Sequence, residues 1–212
     1  DREAILKVHF EGKPVDSDVD LNALSKKTTG MSGADLANLA NESAIFAARR
    51  KSKTIQNNDV TEAFERVAIG PERKASPMSD KDKELTAYHE GGHTVVGHLL
   101  PNADPIHKVT IIPRGGAGGI TWSLPQDDKS YHSVKEIKDV LARLMGGRMA
   151  EELIYGHSNI TTGAGNDLMK ASGLAREMVV EYGMSPKLKN IAYEDQPSGY
   201  DGTGHMNVEN VK

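Results

Sequence analysis

The run His89-Glu90-Gly91-Gly92-His93 constrains this chain more than any other stretch. Two histidines four residues apart share one face of a helix, about one turn from each other. Their ring nitrogens can then reach a single metal ion. Glu90, between them, is placed to take a proton from a metal-activated water. The pattern is the HExxH of zinc hydrolases, and it demands both a helix here and a third ligand from elsewhere. Such a pattern also arises by coincidence, as two polar residues on a half-buried helix. Its context favours the metal. Ser79 and Asp82 form a capping-box pattern ahead of the motif, and the helix is expected to run to about Leu100 and stop at Pro101. Gly91 and Gly92 each cost a helix up to about 1 kcal/mol relative to alanine. A glycine pair in mid-helix therefore predicts an element packed close against the backbone.

The third ligand is a matter of elimination. The chain has no cysteine, so it must come from His, Asp or Glu, a donor set that suits catalytic zinc better than a closed structural site. The same absence excludes a deformylase-type site, which uses a cysteine ligand. His98 is nine positions from His89 and turns to the opposite side of the helix. The longer metzincin pattern needs glycine at 96 and histidine at 99, where this chain has Val96 and Leu99. His107, His132 and His157 fall in predicted loops, as exposed histidines. Two acidic solutions remain. Glu151 and Glu152 lie on a downstream helix, the thermolysin-type arrangement. Asp167 lies in the first turn of the last helix, where it also complements the helix dipole. Spacing alone leaves both open.

At 212 residues the chain can bury one large core or two small ones. Residues 1–70 read as wholly helical. Ala4–Val8 and Leu21–Leu24 mark two short helices. Ser32 and Asp35 form a capping box before the helical spacing of Leu36, Leu39, Ala40, Ser43, Ala44 and Ala47. The adjoining Arg49-Arg50-Lys51 reads as a solvated helix end. Asn58 is expected to cap a fourth helix with Val60, Ala63, Phe64 and Val67, which Gly70 ends. The polar stretch 70–77, with two prolines, is the expected boundary, giving a helical domain over 1–72, a linker over 73–78 and a second domain from 79 to 212.

In that second part Val109–Ile112 and Ile120–Leu124 are β-rich runs joined by a glycine-rich connector. Ser133 and Glu136 open a helix containing Ile137, Val140, Leu141, Leu144, Leu153 and Ile154. A last helix spans about 165–182, with Leu168, Ala171, Leu174, Ala175, Met178 and Val179 as its apolar stripe and Gly183 as the residue that closes it. From Asp195 onward the polar, glycine-rich composition predicts poor order. The fold class is mainly α with a small β-sheet. A net charge of −4 and an isoelectric point near 6.1 give no sign of nucleic-acid or membrane-surface binding. No apolar run approaches the ~20 residues that span a bilayer. A start at Asp1 without a cleavable signal suggests a processed or partial chain.

Tyr88–His93, Leu144-Met145-Gly146-Gly147-Arg148-Met149-Ala150-Glu151-Glu152 and Thr162-Gly163-Ala164-Gly165-Asn166-Asp167 resemble, in order and spacing, the peptidase domain of FtsH-type ATP-dependent zinc metalloproteases. Lys108–Gly115 is similar to the strand that follows the metal helix in that family. Residues 1–70, through Gly30–Leu36, resemble the helical lid of its AAA+ ATPase module. The resemblance implies a helical AAA+ lid followed by a mostly helical zinc-peptidase domain. It implies Zn²⁺ held by His89, His93 and Asp167, Glu90 as base, and Glu151 or Glu152 supporting a ligand histidine. Gly33 and Ala34 would lie near the adenine of a bound nucleotide, although plain helix capping explains them as well. The implied partners are unfolded and membrane polypeptides, which the Ile120–Leu124 strand would take by edge pairing, with Trp122 either beside that cleft or in the core. The family is a membrane-anchored homo-hexamer facing the bacterial cytoplasm or an organelle interior, and its peptidase domain usually continues beyond the point matched by residue 212. The chain carries no GxxxxGK[ST] loop, so ATP and Mg²⁺ belong to the whole family protein and hydrolysis of ATP is not expected of this chain. Gly91 stands where the family usually has alanine, a change that removes neither ligand nor base. The competing reading is a non-catalytic lid and protease-like assembly module; the presence of His89, Glu90, His93 and Asp167 argues against it.

Overall fold

The computed structural model describes residues 1–73, 78–125, 129 and 131–188. The expected poor order beyond Asp195 and most of the 73–78 linker lie outside these residues. Among them the chain forms seven α-helices and one two-stranded antiparallel sheet. The fold class is thus the expected one.

Helices α1 (Arg2–Phe10), α2 (Leu21–Lys27), α3 (Gly33–Arg49) and α4 (Asn57–Ile69) enclose one core. Leu6, Phe10, Leu24, Leu36, Leu39, Ala40, Val60 and Phe64 supply it, all but solvent-free. Ser32 and Asp35 cap α3 reciprocally, Asp35 accepting from the Ser32 amide at 2.9 Å and donating its own amide to Ser32 Oγ at 3.3 Å. The fourth helix starts earlier than expected. Gln56, not Asn58, is its cap, because Asp59 accepts the Gln56 amide at 2.8 Å and so fixes the helix start three residues before itself. Asp59 is buried and also takes a bidentate pair from Arg50, at 3.1 and 2.7 Å. Arg50 is therefore anchored, not merely solvated. Gly70, at φ 85°, ends α4 as expected.

The second half comprises α5 (Asp80–Leu99), β1 (Ile106–Thr110), β2 (Ile120–Ser123), α6 (Val134–Tyr155) and α7 (Gly165–Val180). Ser79 and Ser133 accept the amides of Asp82 and Glu136 to start α5 and α6. Where these two helices cross, a Cβ on Gly92 would sit 2.2 Å from the carbonyl oxygen of Gly146. One on Gly146 would sit 2.6 Å from that of Gly92. Only glycine at both positions allows so close a crossing. Gly91 has open space around it, so the close approach inferred from the pair belongs to Gly92 alone. On α7, Ala171 and Met178 are buried, but Leu168 and Ala175 of the expected stripe face outward. The helix stops at Val180, and Gly183 adopts φ 60° three residues later.

The sheet leans on the helical unit. Strand β1 begins at Ile106, three residues before the expected start, and a bulge between Ile106 and Lys108 interrupts its register with β2. His107 sits in that bulge, not in a loop. Bulges re-aim side chains, and this imidazole packs edge-on to Trp122 with ring centroids 5.0 Å apart and to Phe64 of α4 at 5.9 Å. Trp122 itself lies 5.0 Å from Phe64 and joins the helical core. Of its two expected places, it occupies the core. Beside it, Arg114 is 5 % exposed and bridges Glu65 of α4 at 3.2 Å and Glu72 at 2.5 Å, while Lys108 also pairs with Glu65. A buried guanidinium between two carboxylates holds the sheet to α4 while both charges stay paired.

Burial holds the His107 imidazole below its ordinary value, with Lys27 and Lys108 adding to the effect and Glu65 opposing it. The fold therefore favours the neutral ring. Its contribution is complete above the ordinary pKa of about 6.5 and is lost as pH falls from there through the depressed value. On acidification from about pH 7.5 to 5.5 the melting temperature is expected to change less favourably in the parent than in His107→Phe, the difference being the His107 contribution. Scanning calorimetry at both pH values checks this; equal slopes in the two proteins would remove His107 as a contributor.

Candidate metal centre

His89, Glu90 and His93 lie in the middle of α5 and are all buried. Helical spacing sets the two imidazoles side by side, their rings edge-on with centroids 4.7 Å apart. Each ring spends one nitrogen on a fixed partner. His89 Nδ1 is 2.7 Å from Glu151 Oε1, and His93 Nδ1 is 2.8 Å from the carbonyl oxygen of Arg143. The Gly147 amide lies 3.3 Å from the same His93 nitrogen. The shorter contact to the carbonyl decides the tautomer, placing a proton on Nδ1. With both Nδ1 atoms donating, both Nε2 atoms turn lone pairs inward, 3.0 Å apart.

The carboxylate of Asp167 meets them. Its Oδ2 is 3.3 Å from each Nε2. The approach depends on the segment before α7. Thr161 opens a short 3₁₀ turn, Thr162–Ala164, whose Ala164 is fully buried and leads directly into α7. Thr161 is held by the other oxygen of Glu151, which accepts its amide at 2.8 Å and its hydroxyl at 3.0 Å. Glu151, without solvent exposure, thus grips a histidine of α5 with one oxygen and the approach to Asp167 with the other. Glu152, the next residue, points outward to the exposed His157 at 3.2 Å and pairs with neither His89 nor His93.

His89, His93 and Asp167 each offer one ligand atom within 4.8 Å of the others and could hold a metal ion together. Atoms about 2.0–2.2 Å from a tetrahedral centre lie roughly 3.3–3.6 Å from one another. Separations of 3.0, 3.3 and 3.3 Å come close to that triangle. Two lone pairs aimed at one carboxylate are also the donor chemistry of a divalent cation. Without one, burial disfavours a charged His89, but the hydrogen bonds to Asp167 and Glu151 outweigh it and raise its pKa. Burial likewise opposes ionisation of Asp167, and the two histidines overcome it, holding the carboxyl well below its usual range. For Glu151 burial is again overcome, by the Thr161 amide and His89, so that carboxyl also stays ionised.

The three residues line a cleft of about 710 Å³ shared with Glu90 and with Gly119–Thr121 of β2 and its approach. Burial raises the Glu90 pKa, and a hydrogen bond from Thr121 works against it. Gly33 and Ala34 are exposed in the first turn of α3 and form no part of this cleft. His98 and His132 are exposed as well and stand apart from it. Three contributors were not foreseen from the sequence. A Cβ on Gly147 would lie 2.6 Å from both Nε2 atoms, and one on Gly119 would lie 2.8 Å from Glu90 Oε1. The third is Thr121, whose hydroxyl is 2.6 Å from Glu90 Oε2. The Gly146-Gly147 pair in mid-helix was a usable signal; for Gly119 and Thr121 there was none.

An HExxH helix crossed tightly by a second helix and met by a carboxylate at the start of a third is the architecture of a helical metallopeptidase domain. Residues 76–211 match the model of peptidase family M41, and residues 18–62 match that of the AAA+ lid domain. The chain belongs to peptidase family M41. It is 53 % identical over 192 residues to ATP-dependent zinc metalloprotease FtsH 1 of Sphaerobacter thermophilus, covering 91 % of this chain and 29 % of that protein. FtsH of Synechococcus sp. is likewise 53 % identical, over 90 % of this chain and 30 % of its own length. FtsH of Haemophilus influenzae is 50 % identical over 92 % of this chain and 31 % of its own. The chain therefore spans about three-tenths of the length of these relatives.

Proposed function

We propose that this chain is the zinc-dependent endopeptidase portion, with the ATPase lid, of an ATP-driven, membrane-anchored protease that degrades unfolded and membrane polypeptides. The observation that carries the reading is the convergence of His89, His93 and Asp167 on a cleft that also holds the Glu90 carboxylate. The names of its relatives, ATP-dependent zinc metalloproteases, support it. On this reading 1–72 is the lid and 79–212 the peptidase part. The lid residues Gly33 and Ala34 face a nucleotide only when the rest of the ATPase is present. Homo-hexameric assembly and an orientation toward the bacterial cytoplasm or an organelle interior are part of the same proposal. No helix among the described residues is long and apolar enough to cross a membrane.

In the site, His89 Nε2, His93 Nε2 and an Asp167 oxygen would hold zinc, and Glu151, rather than Glu152, fixes the first of them. When bound, zinc supplies Lewis acidity that makes a water nucleophilic near neutral pH and polarises a peptide carbonyl. Glu90 accepts the proton of the attacking water and passes it to the leaving amine. Without a metal, burial raises the pKa of this carboxyl and the hydrogen bond from Thr121 opposes the rise. Strand β2 pairs on one side with β1; its other side offers backbone groups to an extended polypeptide.

The deciding experiment is zinc stoichiometry measured alongside chelator-sensitive cleavage of an unfolded polypeptide. Bound zinc without cleavage would leave an assembly module in place of an enzyme. Asp167→Asn is expected to lower zinc affinity by at least about 10- to 100-fold, the loss seen when only a ligand's supporting partner is removed, and unchanged stoichiometry by elemental analysis would remove Asp167 from the ligand set.

A further inference from the structure

Glu90 is placed by its helix, but its three side-chain torsions are not. A base that must meet a water within hydrogen-bond reach needs something to fix its carboxylate. We infer that Thr121 on β2 is the positioning residue for Glu90, an inference that rests on reading Glu90 as the proton acceptor.

The Thr121 hydroxyl lies 2.6 Å from Glu90 Oε2 and 3.0 Å from the Glu90 carbonyl oxygen. It has one proton to give. The carbonyl already accepts from Thr94 Oγ1 at 2.7 Å, and the carboxylate is both nearer and charged, so the proton goes to Oε2. Among the described residues no protein donor reaches Oε1, which stays free to accept. On the other side the carboxylate rests against Gly119, where a methyl would stand 2.8 Å from Oε1 and 2.9 Å from Cγ. One strand and its approach therefore supply both a hydroxyl clamp and a bare backbone wall. A β-branched side chain holds χ1 stiffly, which keeps the hydroxyl in place. The strand is itself pinned. Thr121 pairs with Val109 of β1, and the neighbouring Trp122 packs on Phe64 of α4. The hydroxyl is thus tied to the core of the helical unit through one residue of strand.

The test uses the zinc-loaded holoenzyme and a fluorogenic peptide. Thr121→Val keeps the shape and removes the hydroxyl; kcat is expected to fall about 10- to 100-fold, the kinetic equivalent of one lost hydrogen bond to a charged group, with KM and zinc stoichiometry unchanged. Thr121→Ser restores the hydroxyl and is expected to keep kcat within about threefold of the parent. Wild-type kcat in Thr121→Val, a loss carried by KM, or a serine variant as slow as the valine one would each overturn the inference. Glu90→Gln run in parallel separates the two readings. If it stays active, the base assignment fails; if it is inactive while Thr121→Val is not, only the role of Thr121 fails.

Discussion

Glu90→Gln is expected to abolish hydrolysis of casein and of peptides while leaving zinc bound. The substitution preserves volume and can still accept a hydrogen bond from Thr121 through its amide oxygen, so the cleft keeps its shape. What it loses is a group able to take a proton and hand it on. General base and acid functions are typically worth about 10²- to 10⁴-fold each, and one residue performing both places the expected loss at or above the upper figure. His89, His93 and Asp167 are untouched, and their mutual distances do not involve the Glu90 side chain. Elemental analysis should therefore return the parental zinc content, and circular dichroism the parental helix content. Full activity in this variant would refute the base assignment. Loss of zinc together with activity would shift its role from proton transfer to holding the metal.

The elements of the fold were legible where local chemistry decides them. Ser32 with Asp35 and Ser133 with Glu136 mark helix starts because capping is a three-residue affair. The HExxH helix announced its own periodicity. Other features depend on a partner distant in the chain. In Gln56-Asn57-Asn58 the two asparagines are the residues that cap by preference, yet the helix starts after Gln56 because Asp59, held by Arg50, accepts the Gln56 amide. His107 looked like a loop residue because a bulge leaves no trace in hydrophobic alternation. Within the site, Glu151 and Glu152 differ by about 100° around their helix. The one facing α5 is set by the Gly92–Gly146 crossing, which spacing along the chain does not encode. Asp167 was singled out by resemblance, since an acid in a first helical turn has an adequate local explanation. Thr121 and Gly119 act on Glu90 from about thirty residues away along the chain.

Gly147→Ala should empty the metal site without unfolding the protein. Judged by propensity the change is favourable, since alanine gains about 1 kcal/mol over glycine inside a helix. Its Cβ, however, would stand 2.6 Å from His89 Cε1 and from the Nε2 atoms of both histidines. No real Cβ tolerates that distance, so either the rings or the helix must move. The rings have little freedom. His89 is tied to Glu151 and His93 to the Arg143 carbonyl, and turning either ring breaks a buried hydrogen bond. The helix has little more, because α6 is already in backbone contact with α5 at Gly146, the residue before. A displacement of even half an ångström at two of three donor atoms exceeds what zinc coordination distances accept. Zinc affinity is expected to fall at least about 100-fold, and activity with it, while the metal-free protein keeps its helix content. Gly91→Ala supplies the control: it adds the same methyl to α5 where nothing lies within 4 Å, and it should gain thermal stability with zinc unchanged. Parental zinc occupancy in Gly147→Ala, measured by elemental analysis after dialysis, would mean that the α5–α6 crossing gives way more easily than its glycine contacts imply.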